Sequence, residues 1–270
     1  MDTTIIDFYL EGNSRKKTCN KYNITDTQLK NILKQNNIHI RTHSEQLILE
    51  NIRRTKGINH FYFENLNNEN CYYLGFWGAD ATVRKDRNEI KIALSSIDKN
   101  FLEEMREKIK IESKIKIRQT INGFECAELR FSSAKIKQDI AKYQIVPNKT
   151  EKGLKLSVIP DEYKLAFIKG FFDGDGSFSY NKNTKQCKIS FTSYTKSILE
   201  EIQNFFKNGY IYKTNRNLYS LEFSTIPSLQ IMEQFYNLDT PFLARKKEKY
   251  LDCLKIRNKN PRAEAPSMDG

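Results

Sequence analysis

The chain has 270 residues, enough for one large domain or two smaller ones with cores of their own. Lysine and arginine total 45 against 33 aspartates and glutamates, which gives a formal charge of +12. Such an excess is typical of a protein that binds a polyanion, because each neutralised phosphate releases a condensed counterion. A merely soluble basic protein is the alternative. No apolar run approaches the ~20 residues that span a bilayer.

The N-terminal sequence MDTTIIDFYLEGN lacks the basic-then-apolar order of a signal peptide, so we expect a location in the cytoplasm or an organellar matrix. Five dispersed cysteines without a CxxC pair indicate reduced thiols. The three histidines, His39, His43 and His60, all lie in the first quarter of the chain. A zinc finger or a histidine-based nuclease needs histidines near its other functional groups. Catalysis elsewhere must therefore depend on carboxylates, lysines and a hard metal ion.

Residues 1–60 are predicted to form a helical module with a basic surface. Apolar residues recur at helical spacing in TIIDFYLEGN, a second short helix follows Ser14, and Thr25 caps a third in TDTQLKNILKQNN. The segment HIRTHSEQ that follows is predicted to be an extended arm. The three helices resemble a helix-turn-helix unit, whose last helix would bring Lys30 and Lys34 to a major groove. A small helical cap without DNA contact is the alternative.

A unit that begins near residue 70 occurs twice, over residues 70–150 and 151–256. Each copy is predicted to run helix, two strands, helix, two strands, helix. Alternation of apolar and polar residues in EIKIALSS and CKISFTS indicates sheets that are buried on one face only. The predicted fold class is α+β, with two pseudo-symmetric αββαββα repeats and a small N-terminal helical domain. A connector, residues 144–161, joins the copies, and residues 257–270 are predicted to be a disordered tail.

The free face of each predicted sheet is polar and basic. Two curved antiparallel sheets with such faces would form a saddle that fits the major groove of duplex DNA. For any single lysine or arginine, a solvated surface position is the commoner explanation, so the prediction depends on the pattern of the set. The candidates for DNA contact are Arg84, Lys91, Lys116 and Arg118 in the first copy and Lys182, Lys185, Lys188, Lys213 and Arg216 in the second.

The opening helix of each copy carries small residues four positions apart, at Cys71, Gly75 and Ala79 and at Ala166, Gly170 and Gly174. Such a stripe lets two helices approach closely. An acid follows each stripe, at Asp80 and Asp175. A carboxylate at a helix C-terminus faces the negative end of the dipole, at a cost of up to about 1 kcal/mol, and paired helices would add repulsion between the acids. Divalent cations would offset both costs, and oxygen ligation without histidine indicates Mg²⁺, with Mn²⁺ as a substitute.

The two helix ends also carry a family resemblance, over residues from about 70 to 256. LGFWGADATV (74–83) and IKGFFDGDGSF (168–178) resemble the two LAGLIDADG motifs of homing endonucleases. The second motif is close, whereas the first departs at Gly78 and Ala81 but keeps the acid at Asp80. The resemblance implies a monomeric enzyme that hydrolyses one phosphodiester in each strand of double-stranded DNA at a long asymmetric target.

The resemblance also implies site residues. A metal centre would be formed by the acids and the residues before them, Asp80 and Asp175 with Ala79 and Gly174. A lysine near the end of each copy would assist catalysis, and Lys149 in IVPNKT and Lys246 in FLARKKEKYLDCL are the candidates. Arg245 and Lys247 are neighbours of Lys246 that the sequence does not separate from it.

Two functions from other classes stay open. An intron maturase is an RNA-binding splicing factor of the same fold, and basic charge with exposed aromatic residues suits RNA equally well. A non-cutting DNA-binding regulator would combine the helical module with a degenerate nuclease scaffold. The presence of both Asp80 and Asp175 argues against the regulator. It does not separate a nuclease from a maturase, for which the preference for RNA over duplex DNA is decisive. The sequence also leaves open an intron-encoded or a free-standing origin.

Overall fold

The computed structural model describes residues 2–120 and 122–258. Four helices come first: α1 (Asp2–Leu10), α2 (Arg15–Tyr22), α3 (Asp26–Gln35) and α4 (His43–Arg54). The next elements are α5 (Asn68–Asp80), β1 (Thr82–Val83), β2 (Glu89–Ser95), α6 (Lys99–Lys108), β3 (Lys116–Gln119), β4 (Glu125–Ser132) and α7 (Ala134–Ala141). After the short α8 (Lys149–Lys152) come α9 (Lys164–Asp175), β5 (Gly176–Tyr180), β6 (Cys187–Ser193), α10 (Lys196–Phe206), β7 (Tyr210–Lys213), β8 (Tyr219–Phe223), α11 (Thr225–Asn237) and α12 (Ala244–Asn258).

Two αββαββα repeats are therefore present, and the predicted α+β class is confirmed. Each repeat holds a four-stranded antiparallel sheet, in the orders β1-β2-β4-β3 and β5-β6-β8-β7. Alternate residues of β2, such as Ile90 and Ile92, are buried beneath the helices, as are Ile189 and Phe191 of β6. The residues between them point to the opposite face of each sheet and are less buried, so this face is the free one.

The central helices α5 and α9 pack against each other along their small residues. A Cβ at Gly75 would lie 1.9 Å from the carbonyl oxygen of Phe167, and a Cβ at Gly170 would lie 1.9 Å from the carbonyl oxygen of Tyr72. Backbone therefore touches backbone in both directions. The bulky neighbours on these helices are fully buried in one core that spans both repeats: Leu74, Phe76, Trp77, Phe167, Ile168, Phe171 and Phe172.

The N-terminal helices have a separate small core, centred on Tyr9, Leu29 and Leu33. Ser14 caps α2 and Thr25 caps α3 with a full capping box, as the sequence predicts. The predicted extended arm HIRTHSEQ is wrong in its second half, because α4 starts at His43 with Thr42 and Glu45 forming a second capping box.

Helix α4 joins this module to the first repeat. Asn51 Oδ1 accepts a hydrogen bond of 2.8 Å from the amide of Ala134, at the start of α7. His60 Nδ1 and Ser133 Oγ share a hydrogen bond of 2.8 Å, with His60 only 5 % exposed. The histidine is thus a structural residue at a junction between the two parts of the chain.

The connector is more ordered than a simple loop, because it contains α8 and two 3₁₀ turns, Leu156–Val158 and Asp161–Tyr163. All five cysteines are free, as predicted. Within the described residues no helix is long and apolar enough to cross a membrane. The tail predicted from residue 257 begins inside the last turn of α12, and from residue 259 it lies outside the described residues.

We expect Gly75→Ala to lower the free energy of unfolding by about 3 kcal/mol, since its Cβ meets backbone that cannot move aside. Gly78→Ala in the same helix is the matched control. There the new Cβ meets only a Leu154 methyl at 2.7 Å, and the better helix propensity of alanine offsets about 1 kcal/mol. Urea unfolding measures both, and equal stability of the two variants would contradict the close backbone contact.

Candidate active site

The close packing of α5 and α9 brings their C-terminal acids together. A Cβ at Gly174 would lie 2.3 Å from Ala79 Cβ and 3.2 Å from Asp80 Oδ2. The last turns of the two helices therefore touch, and Asp80 and Asp175 extend from the same end of the helix pair. The two acids named from the sequence thus lie at one site.

The environment of both carboxyl groups disfavours their charged forms. Burial, and then the charge of Asp175, raise the pKa of Asp80 to about 6. Burial also raises the pKa of Asp175, although solvent reaches its side chain more freely than that of Asp80. Lys149 lowers the pKa of Asp175 more than Lys246 does, whereas for Asp80 this order is reversed. For each acid, the lysine that most favours the charged carboxylate is thus the one from the end of the other repeat.

Lys246 lies in the first turn of α12 and is only 3 % exposed. Its Nζ donates hydrogen bonds to the carbonyl oxygens of Asp173 at 2.8 Å and Gly176 at 2.7 Å, and to that of Phe172. These are carbonyls at the end of α9, where a helix leaves its last acceptors without amide partners. Burial lowers the pKa of Lys246 to about 8, so the amine loses its proton near neutral pH more readily than an exposed lysine.

Lys149 occupies the corresponding place at the end of α5. Its Nζ donates one hydrogen bond, of 2.9 Å, to the carbonyl oxygen of Ala79. Burial lowers its pKa, and the charges of Asp175 and Asp80 oppose that change. Lys149 and Asp175 line one cavity of about 220 Å³, together with backbone at Gly153 and the segment Thr192, Ser193, Tyr194 and Thr195.

The donor chemistry of this site fits a hard divalent cation. Two neighbouring carboxylates with raised pKa values carry negative charge that the chain itself leaves incompletely balanced. No three side chains of histidine, cysteine, aspartate or glutamate converge as metal ligands within the described ranges. A Mg²⁺ ion held by Asp80 and Asp175 would therefore need further oxygens from backbone, water or a bound phosphate, as this ion commonly has. The Ala79 carbonyl oxygen already accepts a hydrogen bond from Lys149.

The free face of the first sheet carries the predicted cations together with an acid. The register Lys91↔Arg130 and Lys116↔Glu128 places these residues and Arg118 on one face. Glu128 is 5 % exposed, and its carboxylate binds Arg118 Nε at 2.9 Å and Arg130 Nε at 2.7 Å. Arg84, just after β1, pairs with Asp86 at 3.3 Å. The arginines are thus held in place by carboxylates.

In the second sheet the predicted position of Lys213 on the free face is wrong. Lys213 pairs with Tyr219 across the strands and shares the helix-packed face with Ile211 and Leu221, so it does not lie on the free face. On the free face β7 presents Tyr210 and Tyr212, with ring centroids 5.9 Å apart and an interplanar angle of 18°.

The other cations predicted for the second sheet lie on β6 or in turns. Lys188 is on the free face and binds Glu222 Oε1 at 2.9 Å. Lys182 and Lys185 belong to the β5–β6 turn, and Arg216 belongs to the β7–β8 turn. Turn residues at the rim of a sheet still suit contacts with a phosphate backbone.

In the N-terminal module the two candidate lysines differ. Lys34 is exposed on α3, whereas Lys30 Nζ binds Asp26 Oδ2 at 2.7 Å one turn earlier. Asp26 also binds Arg15 of α2 at 3.1 Å. Lys34 is therefore the better placed of the two for a new partner.

Sequence reasoning missed a buried set of contacts beside the acids. Tyr72 Oη donates a hydrogen bond of 2.6 Å to Asp173 Oδ2, and the amide of Leu243 donates to the same oxygen at 3.1 Å. Arg245 Nε binds Asp98 Oδ2 at 2.9 Å, which ties α12 to the first repeat. No local pattern signals these pairs, because their members are 70 or more residues apart.

Comparisons with known proteins agree with the fold. The model of the LAGLIDADG-like domain family matches residues 69–143 and 162–235, so the chain belongs to this family. An uncharacterised protein of Methanocaldococcus jannaschii is 26 % identical over 214 residues, which cover 77 % of this chain and 69 % of that protein. The crystal structure of the LAGLIDADG meganuclease I-AabMI has a similar fold, with a TM-score of 0.51 and 16 % identity over 72 % of this chain and 91 % of that one.

We expect Asp80→Asn to stabilise the metal-free protein at pH 7 by about 2 kcal/mol and to lose this effect near pH 4. The folded chain binds the Asp80 proton more tightly than the unfolded chain does. Wild-type stability therefore falls as the pH rises from about 4 through 6, whereas asparagine has no proton to lose.

Urea unfolding at both pH values in EDTA measures this difference. Asp86→Asn is the control, because Asp86 is exposed and its pKa is lowered by a backbone amide and Arg84. It should bring no gain at pH 7. An equal gain from Asp80→Asn at pH 4 and pH 7 would show that ionisation is not the cause.

Proposed function

We propose that this protein is a site-specific endonuclease that cuts both strands of duplex DNA with the help of Mg²⁺, for which Mn²⁺ can substitute. The observation that carries this proposal is the pair of acids at the touching ends of α5 and α9. A half-buried and a buried lysine lie near them and favour their charged forms. A structural helix pair gains nothing from two neighbouring carboxylates at its negative end. A metal-assisted hydrolase needs such a cluster.

The residues divide the chemistry between them. Asp80 and Asp175 would hold the cation, with Ala79 and Gly174 supplying the adjacent backbone. When bound, the ion polarises the scissile phosphate and lowers the pKa of an attacking water. Lys149 Nζ, which keeps donors beyond its bond to Ala79, would donate a hydrogen bond to a phosphate oxygen in the cavity that it shares with Asp175. Lys246 fixes the end of α9 and places a positive charge near both acids.

The two sheets supply the surface for DNA. Their uncovered faces and turns carry the candidate cations other than Lys213, and Glu128 and Glu222 orient Arg118 and Lys188. Prearranged cations bind phosphates with less loss of side-chain entropy than free ones. The I-AabMI structure with this fold contains uncleaved DNA. Because both repeats are in one chain and differ in sequence, the target would be long and asymmetric, and the enzyme would act as a monomer.

The proposed domains are a helix-turn-helix-like module over residues 1–60 and the two repeats over residues 70–150 and 151–256. The N-terminal module would lengthen the DNA footprint of the sheets by placing α3 against DNA. Its basic helices and its attachment through α4 to the first repeat support this role.

A maturase-like RNA-binding role is the second candidate, and one observation favours it. The stacked rings of Tyr210 and Tyr212 lie on the free face of the second sheet, with Tyr210 70 % exposed. Exposed aromatic rings bind unstacked bases of single-stranded RNA. Binding of duplex DNA and of structured RNA, measured side by side at one salt concentration, separates the two roles.

We expect Asp80→Asn and Asp175→Asn to abolish cleavage while leaving DNA binding intact. The wild-type protein is first incubated with a randomised duplex library and Mg²⁺, and the cut ends give the target sequence. Each variant is then assayed on that target, where we expect a loss of at least about 1,000-fold in rate.

Asp161→Asn is the control for these variants, because this acid is 92 % exposed and lies outside the site. It should cut like the wild type, and EDTA should stop both. Selective binding of duplexes by the wild type without any cut in Mg²⁺ or Mn²⁺ would overturn the nuclease and favour the maturase or regulator.

We expect Lys34→Ala to weaken DNA binding and to reduce the slope of log K against log salt concentration by about 1, because one phosphate contact is lost. Lys30→Ala should have a smaller effect, since Lys30 already pairs with Asp26. Fluorescence anisotropy over a salt series measures both slopes. An unchanged slope for Lys34→Ala would support a helical cap that does not touch DNA.

A further inference from the structure

A buried chain of contacts links the helix of the first repeat to the catalytic lysine candidate of the second. Tyr72 is fully buried in α5, and its hydroxyl donates to Asp173 Oδ2 at 2.6 Å. The same oxygen accepts from the amide of Leu243 at 3.1 Å. Leu243 immediately precedes α12, and its carbonyl accepts from the amide of Lys246 at 3.0 Å. Asp173 thus fixes the turn that carries Lys246.

A second buried contact holds the same turn. Lys169, one helical turn before Asp173, is 1 % exposed and donates from Nζ to Thr240 Oγ1 at 2.7 Å. The segment between α11 and α12 is therefore attached to α9 at Thr240 and at Leu243. Lys246 in turn binds three carbonyl oxygens at the end of α9. Its position is determined before any DNA arrives.

Among the described residues of the first repeat, this arrangement has no equivalent. Gly78 occupies the position that Asp173 has in the second motif, and a Cβ there would lie 2.7 Å from Leu154 Cδ1. The connector covers this point with an apolar side chain instead of bringing a backbone amide to a carboxylate. Lys149 donates one hydrogen bond to backbone, at Ala79, and lines a cavity of about 220 Å³.

We propose that Tyr72 is a positioning residue for the Lys246 half of the site, and that the two strands of the target are cut at unequal rates, the strand served by Lys246 first. This inference rests on the proposed nuclease function. Lys246 acts through its charge, since its three N–H donors are used by carbonyl oxygens of α9 and Gly176. A prearranged positive charge accelerates a reaction because its reorganisation is not part of the barrier. Lys149 is held by a single hydrogen bond to backbone, so more of its reorganisation belongs to the barrier and its strand is cut second.

The test uses the full-length protein and a duplex of its target with a different fluorophore on each strand, under single-turnover conditions. We expect the wild type to accumulate a nicked intermediate that is always broken in the same strand. Tyr72→Phe should slow that fast strand about tenfold, as is common when a supporting hydrogen bond is removed, and leave the slow strand and DNA affinity unchanged.

Tyr73→Phe is a matched control. Tyr73 is equally buried on the same helix, but its hydroxyl has no hydrogen-bond partner. Its variant should cut both strands at the wild-type rates. Asp173→Asn is a second variant of the same chain of contacts, and it should slow the same strand as Tyr72→Phe.

The strand ratio separates positioning from folding. A loss of folded protein slows both strands equally, and thermal unfolding of each variant at the assay temperature checks for it. Equal strand rates in the wild type, or an equal slowing of both strands by Tyr72→Phe with the fold intact, would overturn this inference and leave the nuclease function standing. No cleavage by the wild type would overturn both.

Discussion

The contact on which the other features depend is the meeting of α5 and α9 without side chains between them. Gly75 lies against the Phe167 carbonyl and Gly170 against the Tyr72 carbonyl, so the helices are held from both sides in one register. That register brings Asp80 and Asp175 together. Trp77 of α5 packs against Phe131 of the first sheet, and Phe172 of α9 packs against Phe191 of the second. The stability of one large core thus offsets the unfavourable meeting of two acids.

Much of this architecture was predictable because its signals are local. The αββαββα order follows from alternating and helical periodicities, and the caps at Ser14 and Thr25 follow from residue type and spacing. The small-residue stripes predict close packing of two helices. Two errors were avoidable from the same information. Thr42 and Glu45 have the spacing of a capping box, and the alternation in GYIYKT already assigns Lys213 to the face of Ile211.

The remaining features depend on contacts that no local pattern encodes. The partner of Tyr72 is 101 residues away, and its hydroxyl meets Asp173 only because α5 crosses α9 at this point. A sequence pattern also does not reveal which acid pairs with a basic residue. Arg118 and Lys188 are therefore predicted as free cations, although Glu128 and Glu222 bind them. The function of an acid pair is likewise set by its surroundings, which raise the pKa of Asp80 through burial and a like charge.

The segment between the repeats contributes residues 149–154 to the site of the first repeat. It carries Lys149 to the end of α5, places Leu154 over Gly78, and brings Gly153, with φ of +76°, close against Thr195. Division of the chain into two polypeptides, or circular permutation, would therefore have to leave residues 149–154 attached to the first repeat. A break between Val158 and Asp161 respects that limit, whereas a break before Asn148 would join the lysine of one half to the acid of the other.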